Sequence, residues 1–150
     1  MKKLASDRWD VIKELIAGKE VLDLGCVDHE AKQEAGKDWL HRKIREGAKK
    51  SLGVDYAASE VDRLKGMGYD VVQGNVESLN LGRQFDVVIA GNIIEHLSNP
   101  GLFLETVKRH LKETGNFILT TDNCYGLRSL KAVAFHDGIR PNREHSMTFE

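Results

Sequence analysis

A set of acids, amides and glycines in this 150-residue chain stands where short apolar runs stop. Asp23, Gly25 and Cys26 close Glu20-Val-Leu-Asp-Leu-Gly-Cys26, and Asp55 and Tyr56 follow Leu52-Gly-Val54. Asn75 and Val76 follow Gly74, while Gly91 and Asn92 follow Phe85-Asp-Val-Val-Ile-Ala90. A glycine such as Gly25 permits a sharp turn that a ligand can approach closely. A carboxylate such as Asp55 can accept two hydrogen bonds from a diol, and Asn75 with its neighbouring backbone can read the edge of a base. Each piece is weak alone; in this order they describe a nucleotide site. Metal chemistry has no such pattern: Cys26 and Cys124 form no CxxC, and His29, His41 and His110 show no ligand spacing and read as surface residues.

The elements that must position these residues follow from the apolar spacing. A helix is predicted from about Ser6 to Ala17, with Trp9, Ile12 and Ile16 on one face and Gly18 at its end. Glu20 to Leu24 reads as a buried strand, and the polar stretch from Cys26 to Lys37 as a loop. Asp38 to Ala48 has helical spacing at Leu40, Ile44 and Ala48. Ser51 to Asp55 is a second strand, Ala57 to Lys65 a helix, Tyr69 to Gln73 a third strand and Phe85 to Ala90 a fourth. Asn99 as cap and Pro100 at the first helical position open a helix with Phe103, Leu104, Val107 and Leu111 as its buried stripe. Gly115 closes it, and Asn116 to Thr121 is a fifth strand; a last helix is expected from about Leu127 to His136.

Apolar strands that alternate with helices at short spacing predict an α/β fold. The expected form is a doubly wound, mainly parallel sheet with helices on both faces, in a single domain over residues 1–150. Ligands of such sheets lie across the carboxyl ends of the strands. No closing strand follows Thr121, so the last strands of the fold are expected to be missing, either because the fold is minimal or because the chain is a fragment. An open edge of that kind could pair with a second copy of the chain.

Bulk composition narrows the partners. With 22 basic and 23 acidic residues the net charge is −1, which favours neither nucleic acid nor an anionic membrane. No apolar run approaches the ~20 residues of a membrane-spanning helix. The first residues lack a signal-peptide core, so a cytoplasmic protein with reduced thiols is expected.

Val21-Leu-Asp-Leu-Gly-Cys26 resembles the first motif of the class I S-adenosylmethionine-dependent methyltransferases. Gly53-Val-Asp55, Gly74-Asn-Val-Glu77 and Phe85 through Glu95-His-Leu97 fall where that family has its second, third and fourth motifs. The resemblance spans about Val21 to Thr121. It implies a Rossmann-like fold with S-adenosylmethionine as cofactor. The Gly25 turn would then hold the methionine end, Asp55 the ribose and Asn75-Val76 the adenine, with Asn92 near the methionine end or the acceptor. The family's glycine-rich turn is altered here, because Val27, Asp28 and His29 follow Cys26. Val27 narrows the turn, and Asp28 adds negative charge near a carboxylate-bearing ligand.

Competing readings stand beside these. Asp23 either brackets the turn through backbone amides or meets the ligand, and Asp55 is either a helix cap or a ribose acceptor. Asn75 is a turn residue or an adenine contact, and Cys26 lines the turn as a small buried side chain. His96 is the first candidate for a general base, against a role as a polar contact near a helix start; His136 and His145 are weaker candidates. The leading function is transfer of a methyl group to a small molecule, lipid precursor or sugar. A methyltransferase-like module that binds without turnover is one rival. A nicotinamide-dependent oxidoreductase is the other, disfavoured because no GxGxxG follows the first strand and Gly25 to Asp55 spans 30 positions, against the usual ~20.

Overall fold

The computed structural model describes residues 8–27 and 39–121 of the chain. Five strands, β1 (Glu20–Leu24), β2 (Lys50–Asp55), β3 (Val71–Gln73), β4 (Phe85–Gly91) and β5 (Leu111–Thr120), form one parallel sheet in the order β3-β2-β1-β4-β5. Four helices connect and cover it: α1 (Arg8–Ile16), α2 (Leu40–Gly47), α3 (Ala58–Gly66) and α4 (Pro100–His110). The chain works outward from β1 to β3, then crosses back to β4 on the other side of β1. The carboxyl ends of β1 and β4 therefore flank the point where the winding reverses, the crevice in which such sheets hold ligands.

Register decides which side chains face which layer. Asp23 is level with Gly53 on one side and Ile89 on the other, and Gly53 with Val71. These residues share the face covered by α1, α2 and α3. There Ile12, Ile16 and Ile44 pack on Val21, Val87 and Ile89, while Val61 and Leu64 pack on Val71. The opposite face carries Leu22, Leu24, Leu52, Val54, Val88 and Ala90 against Phe103 and Val107 of α4. Both faces of the central strands are thus buried, which is why their sequences do not alternate. Each of the Val, Leu, Ile and Phe side chains among them contributes about 1.5–3 kcal/mol by leaving water.

The predicted doubly wound sheet is present, and β1 has the predicted bounds. Other elements differ in instructive ways. The third strand starts at Val71 and not Tyr69, because Gly68 (φ +79°) and Tyr69 are still closing α3: their amides donate to Lys65 O and Leu64 O at 2.9 and 3.1 Å. The helix from Pro100 ends at His110 and not near Gly115, since Leu111 already pairs with Phe85; the ladder then breaks and resumes at Asn116 opposite Val87. Its buried face is Phe103, Thr106, Val107 and His110, whereas Leu104 is 49% exposed. Asn99 caps this helix as predicted, its Oδ1 accepting from Gly101 N and Leu102 N.

Two histidines expected at the surface are buried. His110 accepts a hydrogen bond from Leu81 N at 2.9 Å through Nε2, and its Nδ1 lies 2.8 Å from Thr106 O. His41 is 1% exposed and bonded to Asp23. Polar residues enter a core when their hydrogen bonds are met there, which residue type alone does not reveal. His29, His136, His145, the Asp28–Lys37 loop, the predicted last helix and the caps Ser6 and Asp7 lie outside the described residues.

Candidate functional site

At the end of β1, Gly25 takes the left-handed conformation (φ +79°), and its amide and that of Cys26 both donate to Val54 O, at 2.8 and 3.1 Å. The turn is thereby tied to β2. A Cβ at Gly25 would stand 2.7 Å from Ile93 Cδ1, so a side chain from the segment after β4 packs directly on this turn. Cys26 is 3% exposed, and burial, with the charges of Asp23 and Asp55 adding to it, pushes its thiol well above the ordinary range. A neutral thiol of that kind is a packing group and not a nucleophile.

Asp55 closes β2 and is 4% exposed. Its Oδ2 accepts from Val27 N at 3.0 Å and its Oδ1 from Ala57 N at 3.1 Å, joining the turn after β1 to the start of α3. Each oxygen keeps a further acceptor position. Gly74 N donates to Asp55 O at 2.9 Å, which brings the segment after β3 to the same edge. Tyr56 is exposed, and its carbonyl accepts from Gln73 Nε2.

After β3, Asn75 Oδ1 accepts from Glu77 N at 2.8 Å, so the side chain forms an Asx turn and also stands exposed at the edge. Val76 points into the core, leaving its backbone as the part a ligand could meet. Glu77 Oε1 accepts from Ser98 N at 2.7 Å and Asn99 N at 3.0 Å. It pins the segment before α4 to the segment after β3.

After β4, Gly91 lies against Leu40, whose Cδ2 would be 2.8 Å from a Cβ there. Asn92 adopts φ +52°, donates through its amide to Thr120 O at 2.8 Å, and receives Thr120 Oγ1 and an Arg8 guanidinium N–H on Oδ1. Asparagine is among the few side-chain-bearing residues that tolerate this conformation. His96 is exposed in a one-turn 3-10 helix, Ile94–His96, and its amide donates to Ile93 O.

Asp23, one residue before the end of β1, is 2% exposed and bonded through Oδ2 to His41 Nδ1 at 2.8 Å; no described residue donates to its Oδ1. Trp39 Nε1 donates to Cys26 O at 2.9 Å. Residue order gave Trp39 no role and put His41 at the surface, and it placed Gly53 and Ile93 in motifs without the packing roles seen here. The signal for the pair was Trp39-x-His41 opening an otherwise basic helix, two residues that a solvated start would not need. Among the described residues no group of three His, Cys, Asp or Glu side chains could hold a metal ion.

A methyltransferase-domain family pattern matches residues 32–119, which starts beyond β1 and the Gly25 turn. A ubiquinone biosynthesis O-methyltransferase of Azorhizobium caulinodans is 30% identical over 127 residues, covering 79% of this chain and 45% of that protein. A probable S-adenosylmethionine-dependent methyltransferase of Mycolicibacterium smegmatis is 29% identical over 110 residues, 71% of this chain and 39% of that one. The chain thus spans under half the length of these relatives. An S-adenosylmethionine-dependent methyltransferase from Mesorhizobium loti superposes with a TM-score of 0.60 at 21% identity, over 77% of this chain and 52% of that one. The glycopeptide N-methyltransferase MtfA, in a complex with S-adenosylmethionine, does so at 0.53 and 21% identity, over 69% and 47%. These superpositions show the class I fold.

Proposed function

The chain belongs to the methyltransferase-domain family, and on that premise we propose that it is an S-adenosylmethionine-dependent methyltransferase acting on a small molecule, lipid precursor or sugar. The observation that carries the reading is Asp55. It is a buried carboxylate at the carboxyl end of β2, held between the turn after β1 and the start of α3 and keeping acceptor capacity on both oxygens. A ribose diol is the ligand group that such a carboxylate fits.

The other roles follow from position. Gly25 and the Cys26 backbone lie against the methionine end, and Asp23 Oδ1 is the acceptor left for its ammonium group. Tyr56, Asn75 and the Val76 backbone border the adenosine, with Gly91 and Asn92 at the switch between β1 and β4. When bound, the cofactor supplies a methyl group already activated on a sulfonium. The chain's own residues then have chiefly to orient the acceptor, a contribution that can reach about 7–11 kcal/mol. His96 is the group that would take a proton where the acceptor must lose one, a contribution of about 10²–10⁴-fold.

One domain working in the cytoplasm is part of this reading, and so is a site without nucleic acid, which the near-zero net charge supports. Among the described residues no helix is long and apolar enough to cross a membrane. Among the described residues β5 is an edge strand, and that edge is where a second copy would pair. Val27, a side chain where the family has a glycine, keeps a second reading open, a module that binds without turnover.

Calorimetric titration with S-adenosylmethionine and S-adenosylhomocysteine tests the proposal. Saturable binding by the wild type is expected, weakened about 5- to 150-fold in Asp55→Asn, the loss of about 1–3 kcal/mol that follows when a buried partner is lost. Absence of binding at millimolar ligand would refute the cofactor. Binding without methyl transfer across an acceptor panel would favour the non-catalytic module.

A further inference from the structure

The turn after β1 has one glycine, Gly25, and then side chains at Cys26 and Val27. Its shape is held from outside itself. Val54 O takes the amides of Gly25 and Cys26, and Asp55 takes that of Val27. On the other side, two residues at the start of α2 reach back across the sheet face. Trp39 donates to the carbonyl of Cys26 at 2.9 Å, and His41 engages Asp23 at 2.8 Å. These contacts grip the residue after Gly25 and the residue two before it.

The grip is enclosed. The rings of Trp39, His41 and Tyr69 lie 5.0–5.8 Å apart, centroid to centroid, and the Arg45 guanidinium covers Tyr69 at 4.5 Å. Beneath them, Gly53 has no Cβ; one placed there would stand 2.7 Å from both Cys26 Sγ and His41 Cε1. The arrangement also carries an unmet group, since His41 Nε2 is buried with no hydrogen-bond partner among the described residues. An apolar side chain of similar size would fill the space without that cost. Core filling alone therefore does not account for a histidine at this position, whereas a need to hold Asp23 does.

We propose that Trp39 and His41 are positioning residues for the cofactor end of the site, clamping the turn after β1 in its ligand-ready shape. This inference rests on the cofactor reading above. Neither residue touches the ligand in this scheme: Trp39 acts through the Cys26 carbonyl and His41 through Asp23.

Three variants of the full chain test it: Trp39→Phe, which keeps a ring and removes the N–H; His41→Leu, which removes the donor; and His41→Asn, whose side-chain amide can replace the Nδ1 donor. The first readout is amide hydrogen exchange without ligand, which resolves local opening from global unfolding. Exchange at Gly25, Cys26 and Val27 should rise at least about tenfold in Trp39→Phe while Val21 and Leu22 keep wild-type rates. Equal acceleration along β1 and the turn, or no change, would overturn the clamp. The second readout is affinity for S-adenosylhomocysteine, expected to fall about tenfold in Trp39→Phe and His41→Leu, or about 1.4 kcal/mol, with His41→Asn recovering most of it. Wild-type affinity in Trp39→Phe despite faster turn exchange would overturn the positioning role. Should His41→Leu not fold, Trp39→Phe decides alone. If the wild type itself fails to bind, the cofactor reading falls and the positioning role with it, while the exchange comparison still decides whether the turn is clamped.

Discussion

Gly53→Ala adds one methyl group to the face of β2 on which the buried polar cluster rests. The new Cβ would lie 2.7 Å from Cys26 Sγ, 2.7 Å from His41 Cε1 and 2.9 Å from Val71 Cγ1. None of these atoms can easily yield. His41 is held by Asp23, Val71 is β-branched and 3% exposed, and Cys26 is 3% exposed. Overpacking of this kind costs about 1–3 kcal/mol. Replacing a strand glycine returns about 0.5–1 kcal/mol of backbone entropy. From the middle of each range the net effect is a loss of about 1.3 kcal/mol, with about 1–3 kcal/mol more if His41 is driven off Asp23. With a urea slope of about 2 kcal/mol per molar, the smaller figure lowers the unfolding midpoint by about 0.6 M. Gly66→Ala is the matched control. It ends α3 with nothing within 4 Å of a new Cβ, so it should gain about 0.4–1 kcal/mol. A midpoint for Gly53→Ala at or above that of the wild type would refute the packing argument.

Gly25→Ala should be costlier, because its φ of +79° alone opposes a side chain by about 1–2 kcal/mol and Ile93 adds a 2.7 Å contact. In a double variant, Ile93→Ala should relieve the contact but not the conformational part, a partial rescue that urea titration can resolve. Asp86 ties the starts of β1 and β5 to β4 by accepting from Glu20 N and Lys112 Nζ, each at 2.9 Å, and these partners hold its carboxyl below the usual range. A lowered folded pKa means stability that is present above the unfolded value of about 3.9 and is lost as pH falls through the folded one. Asp86→Asn should therefore be less stable at neutral pH and flatten the acid limb of a stability–pH curve; an unchanged limb would count against it. Glu77→Ala leaves Ser98 N and Asn99 N without their acceptor and should cost about 1 kcal/mol by thermal melting, with Glu77→Gln close to wild type.

Much of the fold was legible from residue order. Apolar runs of strand length that ended in acids or amides, separated by helical spacing, specify a doubly wound sheet because period and punctuation are local properties. Asn99-Pro100 located the start of α4 for the same reason. The end of α4 was misplaced because pairing of Leu111 with Phe85, 26 positions away, claimed the backbone before Gly115 could close the helix. The start of β3 was misplaced because Gly68 had still to finish α3.

The site was legible in part. Residue order alone marked Asp23, Gly25, Asp55, Asn75 and Asn92 at strand ends, and the right-handed crossovers of a parallel sheet then bring those ends to one edge. Tertiary structure decided what each side chain touches. Only folding brought His41 onto Asp23 across 18 positions, Trp39 onto the Cys26 carbonyl across 13, and Ile93 onto the Gly25 turn. Only the packing of Cys26, His41 and Val71 around Gly53 shows why that strand lacks a side chain in its middle. Local spacing sets backbone form, because its interactions lie within a few residues. Contacts made across the sheet depend on which strands become neighbours and on which face each residue falls, and in this chain those contacts shape the turn after β1.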